Sequence, residues 1–592
     1  MDGPNVSVKP CNVLFVSPAF PVNTFWNLKA MCAVVDARHM QIPLGLITVA
    51  ALLPAHWTCR LVDRNVSELT DNDLDGADVV MTGGMNVQRF DCLAVVERAQ
   101  RHGKPVVVGG PDATSEPDLY AQADFVVTGE VEVIIGDFVA AWEAGERFGR
   151  FAAEKFKADI TRTPVPRFDL LQRRDYLHYS VQFSRGCPFT CEFCDIIELY
   201  GRVPRVKTVG QFLGELEALH ASGYRGHLDF VDDNFIGNKK AVKALLPPLI
   251  EWQKRHRYPF WFSTEASLNL AGDDDLLALM RAANFGVVFV GIESPDPETL
   301  VSTRKKQNVR GDIAASVHRI QAAGLIVIAG FIVGFDSERA SIAGQMIVCI
   351  EAAAIPVCMA GLLVALPNTQ LHRRLELEGR LFPSTWLTDK ARTGGGDQCM
   401  LGLNFITRRP RREILTDYRR VIDAIYTPPA YFARVRDCVS RLGPWPPHGG
   451  TTVFSARWHF LGIGDNNWRA LSRLVWGAAR GGPRTLFSLL RTLAWAVRKD
   501  PDLLTAVGVL SAFYLHLGPF SRTVSRSALR QIEALDRPDL QHASPIRRRK
   551  VDRVQRQDTQ RTGTPVESAP RSHSTSRTTR IRPTTPPSPR PP

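Results

Sequence analysis

Short apolar runs alternate with longer amphipathic stretches over most of this 592-residue chain. Asn12-Val-Leu-Phe-Val-Ser17 opens the series as a run of strand length that stops at a polar residue. Similar runs at 59–62, 78–82, 105–108 and 124–128 are bounded by Gly, Pro, Asp or Thr and read as buried strands. Helical patterns fill 88–102 and 130–143 between them. Pro43 opens a further buried helix over 43–53, because a first-turn residue has no helical N–H bond to lose. Apolar strands alternating with helices predict a doubly wound parallel sheet over 1–150, with its ligand beyond the carboxyl ends of the strands.

After a linker over 151–178, a second alternation begins. Strands are expected at 180–184, 227–231, 260–264, 287–292, 326–332 and 357–365, with helices at 208–222, 238–256, 273–283, 310–323 and 338–353. Six strands with intervening helices make a partial (β/α)6 barrel over 179–390, whose functional residues belong at the C-terminal strand ends. The fold class is therefore α/β, followed by a mainly helical domain over 391–540. In that last domain Arg469, Arg473, Arg480, Arg484, Arg491 and Arg498 recur beside Trp468, Trp476, Phe487, Trp495 and Phe513. Such basic amphipathic helices either lie on a membrane or pack on the barrel with Arg outward. The apolar stretch 503–518 is interrupted by His516 and is short for a membrane span.

Composition adds bounds rather than function. Apolar content of 44% and charged content of 22% are ordinary for a globular protein. The formal charge of +13 is misleading, because twelve Arg/Lys against three Asp/Glu lie beyond residue 546. That Arg-, Pro-, Ser- and Thr-rich tail, 541–592, is expected to be disordered, and the remainder gives no reason to expect nucleic-acid binding. Eleven Cys, sparse and odd in number, argue against a disulfide framework. Residues 1–9 contain no apolar signal core, so a reducing cytoplasmic setting is expected.

Candidate chemistry gathers at strand ends. The run Phe183-Ser-Arg-Gly-Cys-Pro-Phe-Thr-Cys-Glu-Phe-Cys-Asp195 sets Cys187, Cys191 and Cys194 directly after the first barrel strand. A 4Fe-4S cluster takes one thiolate per iron, so three cysteines leave one iron open. Structural zinc wants a fourth Cys or His nearby, and the next Cys is Cys349. Asp232, Asp233 and Asn234 follow the second strand, Glu265 the third, Glu293 the fourth and Asp336 the fifth. Such groups can hold ammonium and hydroxyl groups of a ligand, or simply cap helices. In the N-terminal sheet the strand ends carry Gly83-Gly84, Gly109-Gly110 and Gly129-Glu130, which admit a large flat ligand or merely make tight turns. Cys399, in the loop Gly394-Gly-Gly-Asp-Gln-Cys399, is either a thiol near the reaction or a bystander.

The C-x3-C-x2-C spacing, with Phe193 before the last Cys, resembles the loop of radical S-adenosylmethionine (SAM) enzymes. The glycine strand ends, with Pro43-Leu44-Gly45, resemble the cobalamin-binding domain that precedes many radical SAM domains. Stretches 182–205, 229–240, 262–270 and 330–336 resemble the branch containing the hopanoid C-2 methylase, and the likeness extends over residues 1–540. This resemblance implies a 4Fe-4S cluster on Cys187, Cys191 and Cys194. It implies SAM contacts from Asp232, Asp233, Asn234, Glu265 and Glu293, and cobalamin against Gly83, Gly84, Gly109, Gly110, Gly129 and Glu130. The Asp-x-His-x-x-Gly cobalt-ligand pattern is absent, since His39 follows Asp36 by three residues. Methyl transfer to an unactivated carbon of a small apolar substrate is then expected, with a hopanoid at C-2 the most specific form. A reductant such as ferredoxin or flavodoxin and peripheral contact with the inner face of the membrane complete the picture. Two alternatives stay open: a cyclase or oxidase of the same kind that transfers no methyl, and a cobalamin sensor or carrier with a structural cluster.

Overall fold

The computed structural model describes residues 10–309, 311–383, 396–443, 445–448 and 467–536. The tail expected at 541–592, Gly394 and Gly395 lie outside the described residues, as does the side chain of Trp468.

Residues β1 (Asn12–Ser17), β2 (His39–Gln41), β3 (Thr58–Asp63), β4 (Val79–Gly83), β5 (Val106–Gly109), β6 (Phe125–Thr128) and β7 (Gly149–Ala152) are the N-terminal strands. All but β2 form one parallel sheet in the order β3-β1-β4-β5-β6-β7. Leu14, Val16, Val80 and Val108 are buried under helices on one face, and Val13, Phe15, Val79 and Val107 on the other. Burial on both faces is why these strands read as continuous apolar runs rather than alternating ones. The winding reverses at β1, between β3 and β4, which opens a crevice at the carboxyl ends there.

The second sheet contains β8 (Tyr176–Val181), β11 (Gly226–Phe230), β12 (Phe260–Ala266), β13 (Phe285–Glu293), β14 (Ile326–Val333) and β15 (Cys358–Leu362), with the hairpin β9 (Ser184–Arg185) and β10 (Arg205–Val206) beside it. These are the six expected barrel strands, all parallel, although β8 begins four residues before the expected 180. A seventh strand joins them. β2 pairs with β8, His39 beside Tyr176 and Gln41 beside His178. The expected domain 1–150 is thus corrected: the segment around 39–41 belongs to the barrel. Three residues carry no periodicity of their own, so only the pairing partner assigns them. β7, which ends the first sheet, was likewise unexpected and falls across the expected boundary at 150.

The C-terminal helices are Arg411–Ile425, Pro428–Leu442, Asn467–Arg480, Pro483–Lys499 and Leu504–Ala534. The last is long and apolar enough to cross a membrane by length and composition, the apolar stretch 503–518 being continued by the rest of a 31-residue helix. Its apolar window is 67% buried inside the molecule, and Val509 and Phe513 reach the barrel cavity. His516, which interrupts the apolar run, hydrogen bonds the Thr24 carbonyl at 3.0 Å.

Candidate active site

The loop after β8 is held by carboxylates. Asp232 accepts the Phe183 and Ser184 amides at 2.8 Å each and the Ser184 hydroxyl at 2.6 Å. Asp233 accepts the Gly186 amide at 2.7 Å. Burial pushes their carboxyls up to about 7 and about 6, against those hydrogen bonds. Asp232 therefore braces the cysteine loop through both of its oxygens. Asn234 donates toward Cys187 Sγ at 3.8 Å and to Ser267 Oγ at 3.2 Å.

Cys187 and Cys194 are partly exposed and Cys191 is buried. Burial pushes all three thiols up, and at Cys191 the cation of Lys305 pulls the other way. Gln307 donates toward Cys191 Sγ at 3.6 Å, while its own Oε1 and the Asn308 Oδ1 are buried without a hydrogen-bond partner. Amide donors aimed at sulfur, a buried cation beside them and orphaned acceptors fit a cysteine-bound iron–sulfur cluster with a further ligand beside it. Among the described residues the set of three ligand groups that converges within 4.8 Å is Glu217, His220 and His256, on the outer face. The three thiols do not form such a set.

Lys305, Gln307 and Asn308 were missed by the sequence reading. They lie past a helix from the strand end, and no spacing pattern marks them. Lys305 pairs with Glu293 at 2.7 Å; burial opposes its charge, but Glu293 and Cys191 prevail and hold it protonated. Glu293 adopts φ +68°, a left-handed conformation that a non-glycine residue enters at a cost, of the kind often held at ligand sites.

A cavity of about 870 Å³ runs along the barrel lumen. Trp26, Phe289, Ile328 and Phe513 line one wall, and His178, His227, Asp229, Ser263 and Glu265 line the other. Glu265, at the carboxyl end of β12, is exposed on this cavity. Burial among protein atoms and the charges of Asp229, Asp233 and Asp232 push its carboxyl up to about 8. Of the sequence candidates, Glu265 is the one that faces the cavity.

The glycine strand ends prove to be packed against one another. Gly83 pairs with Gly109 in register, and a Cβ on Gly83 would lie 2.3 Å from the Gly109 carbonyl oxygen. Gly110 and Gly129 have φ of +91° and +81°. Backbone packing accounts for these positions, and a side-chain-free surface at the switch point is compatible with a large flat ligand. Glu130 is different. It pairs with Arg205 at 2.8 Å and Arg185 at 3.2 Å, tying the sheet's carboxyl end to the cysteine-loop hairpin. Asn368, beyond β15, reaches the Ser115 carbonyl at 2.9 Å across the same junction. His39 is buried in β2, and burial takes its imidazole down to about 4, so it is a neutral core residue. Cys399 is buried, its carbonyl accepts from the Tyr418 hydroxyl at 2.6 Å, and it is not among the residues lining this cavity.

Comparison with known proteins places this architecture. Residues 181–341 match the radical SAM superfamily, and 369–529 match a domain of unknown function (DUF4070). The chain is 46% identical over 432 residues to an uncharacterized methyltransferase of Synechocystis sp., covering 73% of this chain and 79% of that one. It is 40% identical over 350 residues to the hopanoid C-2 methylase of Rhodopseudomonas palustris, covering 58% of this chain and 66% of that one. In three dimensions it resembles the cobalamin-dependent SAM radical enzyme OxsB, with a TM-score of 0.53 at 14% identity over 88% of this chain and 81% of that one. The radical SAM methyltransferase TsrM from Kitasatospora setae gives a TM-score of 0.51 at 16% identity, covering 63% and 75%. With a cysteine loop after the first strand of a partial barrel, a radical SAM match over that barrel and 46% identity to the Synechocystis methyltransferase, the chain belongs to the radical SAM methyltransferases and shares the fold of OxsB and TsrM.

Proposed function

We propose that this enzyme methylates an unactivated carbon of an apolar polycyclic lipid, a hopanoid at C-2. The luminal cavity carries this reading: its volume is within the roughly 300–1,000 Å³ of small-molecule pockets, and one whole wall is aromatic and aliphatic. The hopanoid methylase relative supplies the ring system.

Cys187, Cys191 and Cys194 would hold the cluster, and Glu265, Glu293, Asp233 and Asn234 are the groups at hand for SAM. Gly83, Gly84, Gly109, Gly110 and Gly129 would floor the cobalamin site. When bound, these groups supply hydrogen-atom removal from an unreactive C–H bond and a methyl group to replace it. The chain's own share is positional. Lys305 offsets thiolate charge, with Glu293 holding its ammonium in place. Trp26, Phe289 and Phe513 keep water from the reacting carbon. No residue is asked to act as a base, because the C–H bond has no acidity to exploit.

The electron comes from a ferredoxin- or flavodoxin-like donor on this reading, and all eleven cysteines being free suits a reducing, cytoplasmic setting. Peripheral membrane contact is part of the same proposal. Helix Asn467–Arg480 packs beside Val34–Asp36 at the cavity, through Arg473 to Asp36 at 2.7 Å. It exposes Trp476 (64%), and the next helix exposes Phe487 (68%), among Arg480, Arg484 and Arg491. Exposed aromatics within a basic face are what an anionic bilayer binds.

The test is anaerobic turnover of the reconstituted enzyme with SAM, reductant and a hopanoid, read by mass. A gain of one CH2 at C-2, with 2-methylhopanoids lost from a host lacking the gene, is the expected result. An unchanged lipid profile sinks the hopanoid reading, and a product of other mass gain points to the cyclase alternative.

A further inference from the structure

Apart from Glu265, the polar wall of the cavity has no duty in the reading above. Along β8, β11 and β12 every second residue faces the lumen, as strand geometry requires. That register brings His178, His227, Asp229, Ser263 and Glu265 onto one side of an otherwise apolar space. Placing five polar side chains in a lipid pocket is costly unless each meets a partner.

Their hydrogen bonds determine what they present. Ser263 donates its hydroxyl to Asp229 Oδ1, so the 2.7 Å contact between Ser263 Oγ and His227 Nε2 requires the imidazole to donate there. His227 is then protonated at Nε2 and leaves Nδ1 as an acceptor. Its ring is locked by stacking on Trp261 at 3.8 Å with planes 5° apart. His178 Nδ1 lies 3.3 Å from the Tyr179 carbonyl, a contact that needs N–H at that position and leaves Nε2 as an acceptor. Burial lowers the proton affinity of both rings, which keeps them neutral. Among the described residues, Asp229 Oδ2 accepts no hydrogen bond and the Glu265 carboxyl makes none. The wall therefore offers His227 Nδ1, His178 Nε2 and Asp229 Oδ2 as acceptors, while the Glu265 carboxyl, pushed up to about 8, keeps a proton to donate.

We infer that the cavity takes an amphipathic ligand whose hydroxyl groups lie along one edge, and that His178, His227 and Asp229 are the residues that select it. The inference rests on the lipid reading and narrows it to a hydroxylated lipid. Hydroxyls are favoured over an ammonium because Arg173, Arg174 and Arg225 line the same cavity and oppose a cation. A purely hydrocarbon ligand would leave the acceptor wall dry and unpaired. A pocket built to hydrogen bond hydroxyls rejects the analogue lacking them for this reason.

The test uses the full-length reconstituted enzyme and two probes, a hopanoid with a polyhydroxylated side chain and the hydrocarbon of the same ring system. Equilibrium binding should favour the polyol by roughly tenfold or more. Asp229→Asn and His178→Phe should each bring that preference to within about twofold while leaving hydrocarbon binding unchanged. His178→Phe leaves the Ser263–Asp229 link intact, so it reports even where Asp229→Asn disturbs the fold. In turnover, KM for the polyol should rise in both variants with kcat at saturation nearly kept. Equal binding of the two probes by the wild type overturns the inference and leaves the lipid reading standing, as does loss of both probes alike in the variants. Binding of neither probe overturns the lipid reading itself.

Discussion

Replacing Glu130 by Gln separates two accounts of one residue. By resemblance Glu130 belongs to the cobalamin site; by geometry it clamps the cysteine-loop hairpin. Its side chain is 3% exposed and faces two guanidinium groups, Arg205 at 2.8 Å and Arg185 at 3.2 Å. Removing one partner of a buried pair costs ~3–5 kcal/mol, because the remaining charge stays buried. Here the lower end applies. Arg185 keeps Glu132 at 2.7 Å, and Arg205 keeps the Tyr200 and Ala158 carbonyls at 2.9 and 3.0 Å. A loss of ~3 kcal/mol, confined to the junction, raises local opening of the hairpin by roughly a hundredfold. Hydrogen exchange of the amides over 184–206 reads this directly: they should exchange about a hundredfold faster, while the β1–β6 core is unchanged. Unaltered hairpin exchange together with weakened cobalamin binding would refute the clamp and return Glu130 to the cofactor.

Gly83→Ala drives a Cβ to 2.3 Å from the Gly109 carbonyl, so the denaturation midpoint should fall by an amount matching ~1–3 kcal/mol; Gly136→Ala, with nothing within 4 Å, is the control. Cys191→Ala should abolish bound iron, sulfide and 5′-deoxyadenosine release, whereas Cys399→Ala should retain all three, being off the cavity. Glu265 titrates near 8 in the fold against an ordinary 4.5, so the native state holds a proton the unfolded chain has lost. Its contribution is fully present below about 4.5 and disappears as pH rises through about 8; Glu265→Gln should flatten that stretch of the Tm-versus-pH curve, and an unaltered slope would contradict it. Trp476→Asp with Phe487→Asp should weaken sedimentation with anionic liposomes and leave the far-ultraviolet circular dichroism unchanged, since both side chains are exposed.

The strands of both sheets were legible because burial on two faces writes itself as unbroken apolar runs, and β11 to β14 fall within a few residues of their expected places. The site was legible where chemistry follows from covalent spacing. Cys187, Cys191 and Cys194 lie within eight residues, and a strand directly before them decides which end of the barrel they occupy. Glu265 stood out for the same reason, as a polar residue closing an apolar strand, and it lines the cavity.

Roles that depend on partners far along the chain were not. Asp232 braces Ser184, 48 residues away, a contact no local pattern announces. Lys305 meets Cys191 across more than a hundred residues, and β2 finds β8 across a similar gap. The amphipathic cavity needs β8, β11 and β12 side by side before alternate residues become one wall. Sequence alone therefore determined the helices and strands that carry a periodicity of their own, the three thiols and the kind of centre they can hold, because local periodicity and spacing suffice for these. Tertiary structure decided which carboxylates are free for a ligand and what shape the cavity offers, because both depend on pairings that only the closed barrel brings together.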